Sequence, residues 1–231
     1  MFWWYDPVYM LFALPGFILA LLASFYVKST FAKYSRVPSD RGLTGAEAAR
    51  HLLARNGVQD VAIEMTRGFL SDHYDPLHKT LRLSPNVYNS TSLAAIGVAC
   101  HEAGHALQHA RGYALLGLRT AMVPVTTIGS NLGYAVVFVG IIFHAKALVL
   151  AGALLFSLAV LFAIVTLPVE WDATARAKKG MVQAGLLSQR EGEGAGAVLN
   201  AAFLTYVAAA VSSLLILMYY LMRAGVFGRD D

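Results

Sequence analysis

The chain has 231 residues, of which 57% are hydrophobic and only 14% charged, with a formal net charge of +4. Soluble globular chains carry roughly 25% charged residues, so this composition excludes a protein bathed in water on all sides. The positive balance comes without any basic, aromatic-interleaved run, which argues against nucleic acid as a partner and for a face resting on anionic lipid.

In chain order, the first element is Pro7–Val27, an unbroken apolar stretch free of Asp, Glu, Lys, Arg and His. About 18 such residues suffice for a transmembrane helix. The flank "MFWWYDP" has no Lys or Arg, and no small-x-small site follows in "SFYVKST". The stretch therefore reads as a retained anchor rather than a cleaved leader. Trp3, Trp4 and Tyr5 are placed at the membrane interface.

Residues 28–122 read as a polar α+β domain. Residues 28–44 resemble a linker. "TGAEAARHLLARNG" follows as a helix capped by Thr44, with Glu47 completing a capping box and Gly57 as the stop. "VAIEMT" (61–66) and "KTLRLS" (79–84) alternate like strands, separated by the turn-rich "RGFLSDHYDPLH". The "NSTS" cluster at 89–92 offers N-caps for a helix over about 91–111.

Three further apolar stretches, 123–143, 147–167 and 202–221, predict transmembrane helices, with a polar segment at 168–201. Eleven of the eighteen Lys and Arg fall in 28–122 and four in 168–201. Both polar segments are thus expected in the cytoplasm and both termini outside. The expected architecture is a multipass α-helical membrane protein with four transmembrane helices in a bacterial inner membrane. A small α+β domain is expected on the cytoplasmic side.

The predicted helix at 91–111 carries His101-Glu102-Ala103-Gly104-His105, an H-E-x-x-H. Positions i and i+4 share one helix face, so both imidazoles can reach one ion, and the intervening Glu102 lies beside it as a proton acceptor. Zinc, one per chain, is the expected cofactor. A catalytic zinc needs a third protein ligand. His109 fails, because eight residues at 1.5 Å rise place it about 12 Å from His101. Glu170, just past the 123–143/147–167 hairpin, returns to the same membrane face and is the expected third ligand. Asp172 is a rival that points another way on the same helix. The single cysteine, Cys100, excludes a disulfide and a Cys-rich zinc site, and reads as a small apolar filler.

Five blocks resemble the YugP-like family of membrane zinc metallopeptidases: 42–58, 70–88 with "SDHYDP", 94–109, 167–177 and 198–210. The arrangement is also similar to the HtpX and CAAX-prenyl-protease families, where a membrane hairpin separates the H-E-x-x-H helix from the ligand glutamate. The resemblance implies a zinc-dependent peptidase of undefined substrate. In that wider group an Asp four residues after the ligand Glu orients a histidine; here that position is Thr174. A hydroxyl can still bond an imidazole, and Asp172 and Asp75 are candidate substitutes for the missing carboxylate.

The expected activity is gluzincin-like endopeptidase hydrolysis of peptide or protein substrates, membrane proteins among them, with Glu102 as general base. His73, Tyr74 and Arg176 are candidate oxyanion donors, although "SDHYDP" reads equally well as a structural turn built on Asp72, Asp75 and Pro76. Residues 79–84 are expected to form an edge strand that holds substrate, with Thr80 and Arg82 outward and Leu81 and Leu83 inward. Two alternatives stand beside this reading. One is an intramembrane, site-2-like zinc protease, which the apolar run before His101 suggests. The other is a zinc-stabilised membrane scaffold without catalysis. Oligomeric state is not legible.

Overall fold

The structure is a computed structural model that describes residues 6–68 and 71–228; the chain is mostly helical with one small sheet. Its elements are α1 (Pro7–Tyr34), α2 (Gly45–Arg55), β1 (Ala62–Met65), β2 (His73–Asp75), β3 (Thr80–Leu83), α3 (Pro85–Tyr88), α4 (Leu93–Ala110), α5 (Ala114–Ile142), α6 (Lys146–Gln183) and α7 (Gln189–Arg223). They divide into two compact units. One gathers the chain up to Ser24, Leu118–Leu167 and the chain from Thr205; the other gathers Phe25–Gly117 and Pro168–Leu204.

The first unit is built from apolar helix. α1, α5, α6 and α7 are each long and apolar enough to cross a membrane, and only 11% to 28% of each apolar window is buried within the protein. Phe17, Ile128, Phe143 and Leu154 face outward, a surface suited to lipid and not to water. Two hydroxyls here bond within their own helix turn: Thr127 Oγ1 donates to Val123 O at 2.8 Å and Ser157 Oγ to Leu154 O at 2.7 Å. α5 and α6 pack closely at Gly152, where an added Cβ would stand 2.6 Å from Val137 N, as small residues allow between membrane helices. The interfacial aromatics expected at Trp3, Trp4 and Tyr5 lie outside the described residues.

All four long helices run further than their apolar stretches, α5 starting at Ala114 and α7 at Gln189. α1 continues to Tyr34, so the linker expected from residue 28 starts later; "KSTFAKY" contains no breaker, and Pro appears only at 38. α6 is one helix of 38 residues, about 57 Å at 1.5 Å per residue, against a hydrocarbon core of about 30 Å. Its first part belongs to the apolar unit and its residues from Pro168 to the other.

The second unit holds the sheet. β3 lies in the middle, parallel to β1 and antiparallel to β2. This corrects the edge-strand expectation. Both sides of β3 are already paired, Thr80 is buried, and Arg82 Nη1 bonds Asp75 Oδ2 at 2.6 Å. Neither Thr80 nor Arg82 is available to bind substrate as an added strand. The inward Leu81 and Leu83 are fully buried. The sequence concealed β2 because its three residues contain one apolar side chain, and only pairing with β3 makes it a strand.

Around the sheet, α2 begins with the expected capping box: Thr44 Oγ1 accepts from Glu47 N at 3.3 Å while Thr44 N donates to Glu47 Oε2 at 2.8 Å. Such a cap contributes about 1 kcal/mol. The inner face of α2, including Ala48, Ala49 and Leu52, packs on α4, which buries fourteen residues and is capped by Ser92. α4 ends where Gly112 takes φ +62. Cys100 is fully buried in this core and burial pushes its thiol up to about 12, which leaves it a packing residue.

Candidate metal centre

α4 and α6 meet through a glycine inside the H-E-x-x-H itself. A Cβ on Gly104 would stand 2.6 Å from Ala173 O, so only a residue without one lets the α6 backbone come this close. That approach sets Glu170, Asp172 and Thr174 against the polar face of α4.

His101 Nε2 and His105 Nε2 stand 3.1 and 3.5 Å from Glu170 Oε2. The three donor atoms all lie within 4.8 Å of one another. Glu170 is 1% exposed and His105 6%. Ligands about 2.1 Å from a tetrahedral zinc lie about 3.4 Å apart, so the 3.1 and 3.5 Å distances to Glu170, with two imidazoles and one carboxylate, suit that ion. Burying a carboxylate and two imidazoles together is costly unless their charges are matched. Burial raises the Glu170 pKa, but the two imidazoles outweigh it and hold the carboxyl well below the usual range. Burial pushes His105 down, and the carboxylates of Glu170 and Glu102 outweigh it and raise it. The same charges that favour a proton on His105 would favour a metal cation beside it.

Each imidazole has a partner on its far side. His101 Nδ1 is 3.3 Å from Thr174 Oγ1, so the hydroxyl at that position does reach the ring. His105 Nδ1 is 2.9 Å from Gln108 Oε1. Gln108 Nε2 in turn donates to Val169 O and to Asp172 Oδ2, both at 2.8 Å. Asp172 therefore stands behind His105 through an amide, and its carboxylate also accepts from Arg176 Nε at 2.5 Å. Burial works against its charge, but these two donors outweigh it and lower its pKa.

Gln108 and Gly104 are contributors that the motif alone does not single out. A signal existed for Gln108, a polar residue three positions after a ligand on an otherwise apolar helix, which places both on one face.

The oxyanion candidates are occupied elsewhere. His73 is exposed and its Nδ1 donates to Ser71 O at 2.8 Å. Tyr74 OH pairs with His109 Nδ1 at 2.8 Å, and burial with the charges of Asp60 and Asp75 raises its phenol to about 12. Arg176 is held by Asp172. The "SDHYDP" segment holds β2 and the start of the turn that follows it. Asp72 Oδ1 accepts from Ser84 N at 2.7 Å, and Asp75 Oδ1 accepts from Leu77 N and His78 N. Asp75 is thus engaged in its own turn and with Arg82.

Comparison with known proteins points to zinc and to a membrane protease. Residues 9–225 match the model of a family described as "Putative neutral zinc metallopeptidase". The chain is 46% identical over 215 residues to "Putative membrane protease YugP" of Bacillus subtilis (strain 168), covering 92% of this chain and 94% of that protein. No solved structure matches the chain.

Proposed function

The chain belongs to the "Putative neutral zinc metallopeptidase" family, and from that premise we propose that it is a membrane-embedded zinc endopeptidase of the gluzincin kind. The observation that carries this reading is the His101–His105–Glu170 donor set on α4 and α6, buried at His105 and Glu170. Zinc, when bound, supplies the Lewis acidity that polarises a scissile carbonyl and eases deprotonation of a water near neutral pH.

The protein's own residues do the rest. His101 and His105 present Nε2 atoms, and Glu170 presents Oε2, to one point. Glu102 is 9% exposed and near enough to His105 for its charge to favour a proton there. Its carboxylate accepts the proton of the attacking water and returns it to the leaving amine. Three protein donors among the described residues, and no fourth in that group, fit a catalytic zinc better than the closed shell of a structural one. The cluster belongs to the unit that carries the sheet and amphipathic α2, which favours chemistry in water over the intramembrane alternative.

The orientation is part of the proposal. The excess of Lys and Arg in 28–122 and 168–201 supports a cytoplasmic site. Substrates are peptides or proteins, membrane proteins included, with one zinc per chain. In a Cys100→Ser background, Asp40→Cys is then labelled only from the cytoplasmic side and Ala145→Cys only from the other. Labelling of both from one side contradicts the orientation. Glu102→Gln tests the chemistry: it keeps zinc, because it removes no ligand, and loses peptidase activity by at least about 100-fold. Undiminished cleavage by Glu102→Gln would overturn the mechanism.

A further inference from the structure

The two ligand histidines are oriented by different kinds of partner, and the difference is informative. Thr174 offers His101 a hydroxyl, which can donate or accept. It therefore leaves the choice of protonated nitrogen open. Gln108 offers no such freedom. Its amide lies between Val169 O, which can only accept, and Asp172 Oδ2. That oxygen also accepts from Arg176 Nε at 2.5 Å. The NH2 end of Gln108 must face those two oxygens, so its carbonyl oxygen must face His105 Nδ1. A carbonyl can only accept, and Nδ1 must carry a proton. In the neutral ring this leaves the lone pair on Nε2, the atom turned to Glu170.

The same amide has a second consequence. Val169 O belongs to the peptide that leads into Glu170, and Gln108 is wholly buried on α4. One side chain thereby fixes the imidazole of one ligand and ties down the backbone beside another. It makes α4 and α6 hold a common register at the site.

We propose that Gln108 is a positioning residue that locks His105 in its Nδ1–H tautomer and couples its placement to that of Glu170, with the Asp172–Arg176 pair setting the direction of the amide. This rests on the reading of His101, His105 and Glu170 as zinc ligands. Partners of this kind typically change metal affinity by about 10- to 100-fold when removed.

The test uses the full chain in lipid nanodiscs and measures zinc affinity by competition with a chromophoric chelator. Imidazole 15N resonances report which ring nitrogen of His105 is protonated. Gln108→Leu weakens zinc by about 10- to 100-fold, and the His105 ring loses its single tautomer in the metal-free protein. Gln108→Glu also weakens zinc, because the new carboxylate opposes both Val169 O and Asp172. Adding Asp172→Asn to Gln108→Glu recovers at least part of the loss, since an amide at 172 can donate to the carboxylate; a residue that merely filled space would show no such rescue. Parent-like affinity in a folded Gln108→Leu overturns the proposal. Should that variant fail to fold, parent-like affinity in Gln108→Glu, or no recovery on adding Asp172→Asn, overturns it instead. His105→Ala separates the two levels. If it binds zinc like the parent, the ligand assignment itself is wrong; if it loses zinc, the ligand assignment holds and the Gln108 variants test the positioning role by themselves.

Discussion

The two parts of α6 differ sharply in how they satisfy their polar groups. From Ala147 to Leu167 there is no charged side chain, and Ser157 turns its hydroxyl back onto the carbonyl three residues earlier. From Pro168 onward, Glu170 and Thr174 reach α4 residues about seventy positions away, and Val169 and Asp172 receive Gln108. Lipid offers no hydrogen bonds, and the Ser157 hydroxyl finds its partner on its own helix. The other part can direct its side chains at a distant helix. The same secondary structure thus serves as an anchor in one stretch and as a ligand-bearing arm in the next.

The largest expected contrast follows from the ligand itself. Glu170→Ala leaves two protein ligands, and zinc bound after dialysis should fall from about one per chain to a small fraction of that. Metal analysis of the purified protein checks it, and full retention of zinc would remove the arm from the site.

Packing contrasts come next. Gly104→Ala forces its Cβ onto Ala173 O, and Gly152→Ala forces its Cβ onto Val137 N. Each should cost about 1–3 kcal/mol of stability, seen as a lower melting temperature. Only Gly104→Ala should also weaken zinc, by about tenfold or more, because it pushes the α6 backbone away from His101 and His105. Equal effects of the two on zinc would mean that the parts of α6 are not functionally distinct.

The smallest contrast compares hydroxyls. Thr174→Val removes the partner of His101 Nδ1 and should weaken zinc by about tenfold. Ser157→Ala removes a bond within one helix turn and should leave zinc affinity unchanged and stability within about 0.5 kcal/mol. A Thr174→Val protein with parent affinity would show that the 3.3 Å contact does not orient the ring.

Legibility in the sequence followed the range of the physics involved. The four apolar helices, the capping box at Thr44 and Glu47, and the pairing of His101 with His105 depend on neighbours within a few residues, and each could be read directly. Glu170 was reachable by reading 123–143 and 147–167 as a hairpin, and its carboxylate does stand beside both imidazoles. What escaped depends on elements meeting in space. β2 exists only by pairing with β3, and β3 became central because the chain places β1 and β2 on either side of it. Gly104 matters only because α6 passes over it, and Gln108 only because Val169 and Asp172 arrive beside it. The partners of the oxyanion candidates were hidden for the same reason: Tyr74 pairs with His109, His73 with Ser71 and Arg176 with Asp172.

X-ray absorption of the zinc-loaded protein at the zinc edge reads the ligand atoms themselves, and so bears on the His101–His105–Glu170 assignment without any intermediate step. The expected spectrum has two imidazoles and otherwise light oxygen donors, with distances near 2.0–2.1 Å and no sulfur, and one imidazole fewer in His105→Ala. A third imidazole, a sulfur from Cys100, or a spectrum unchanged by His105→Ala would contradict it.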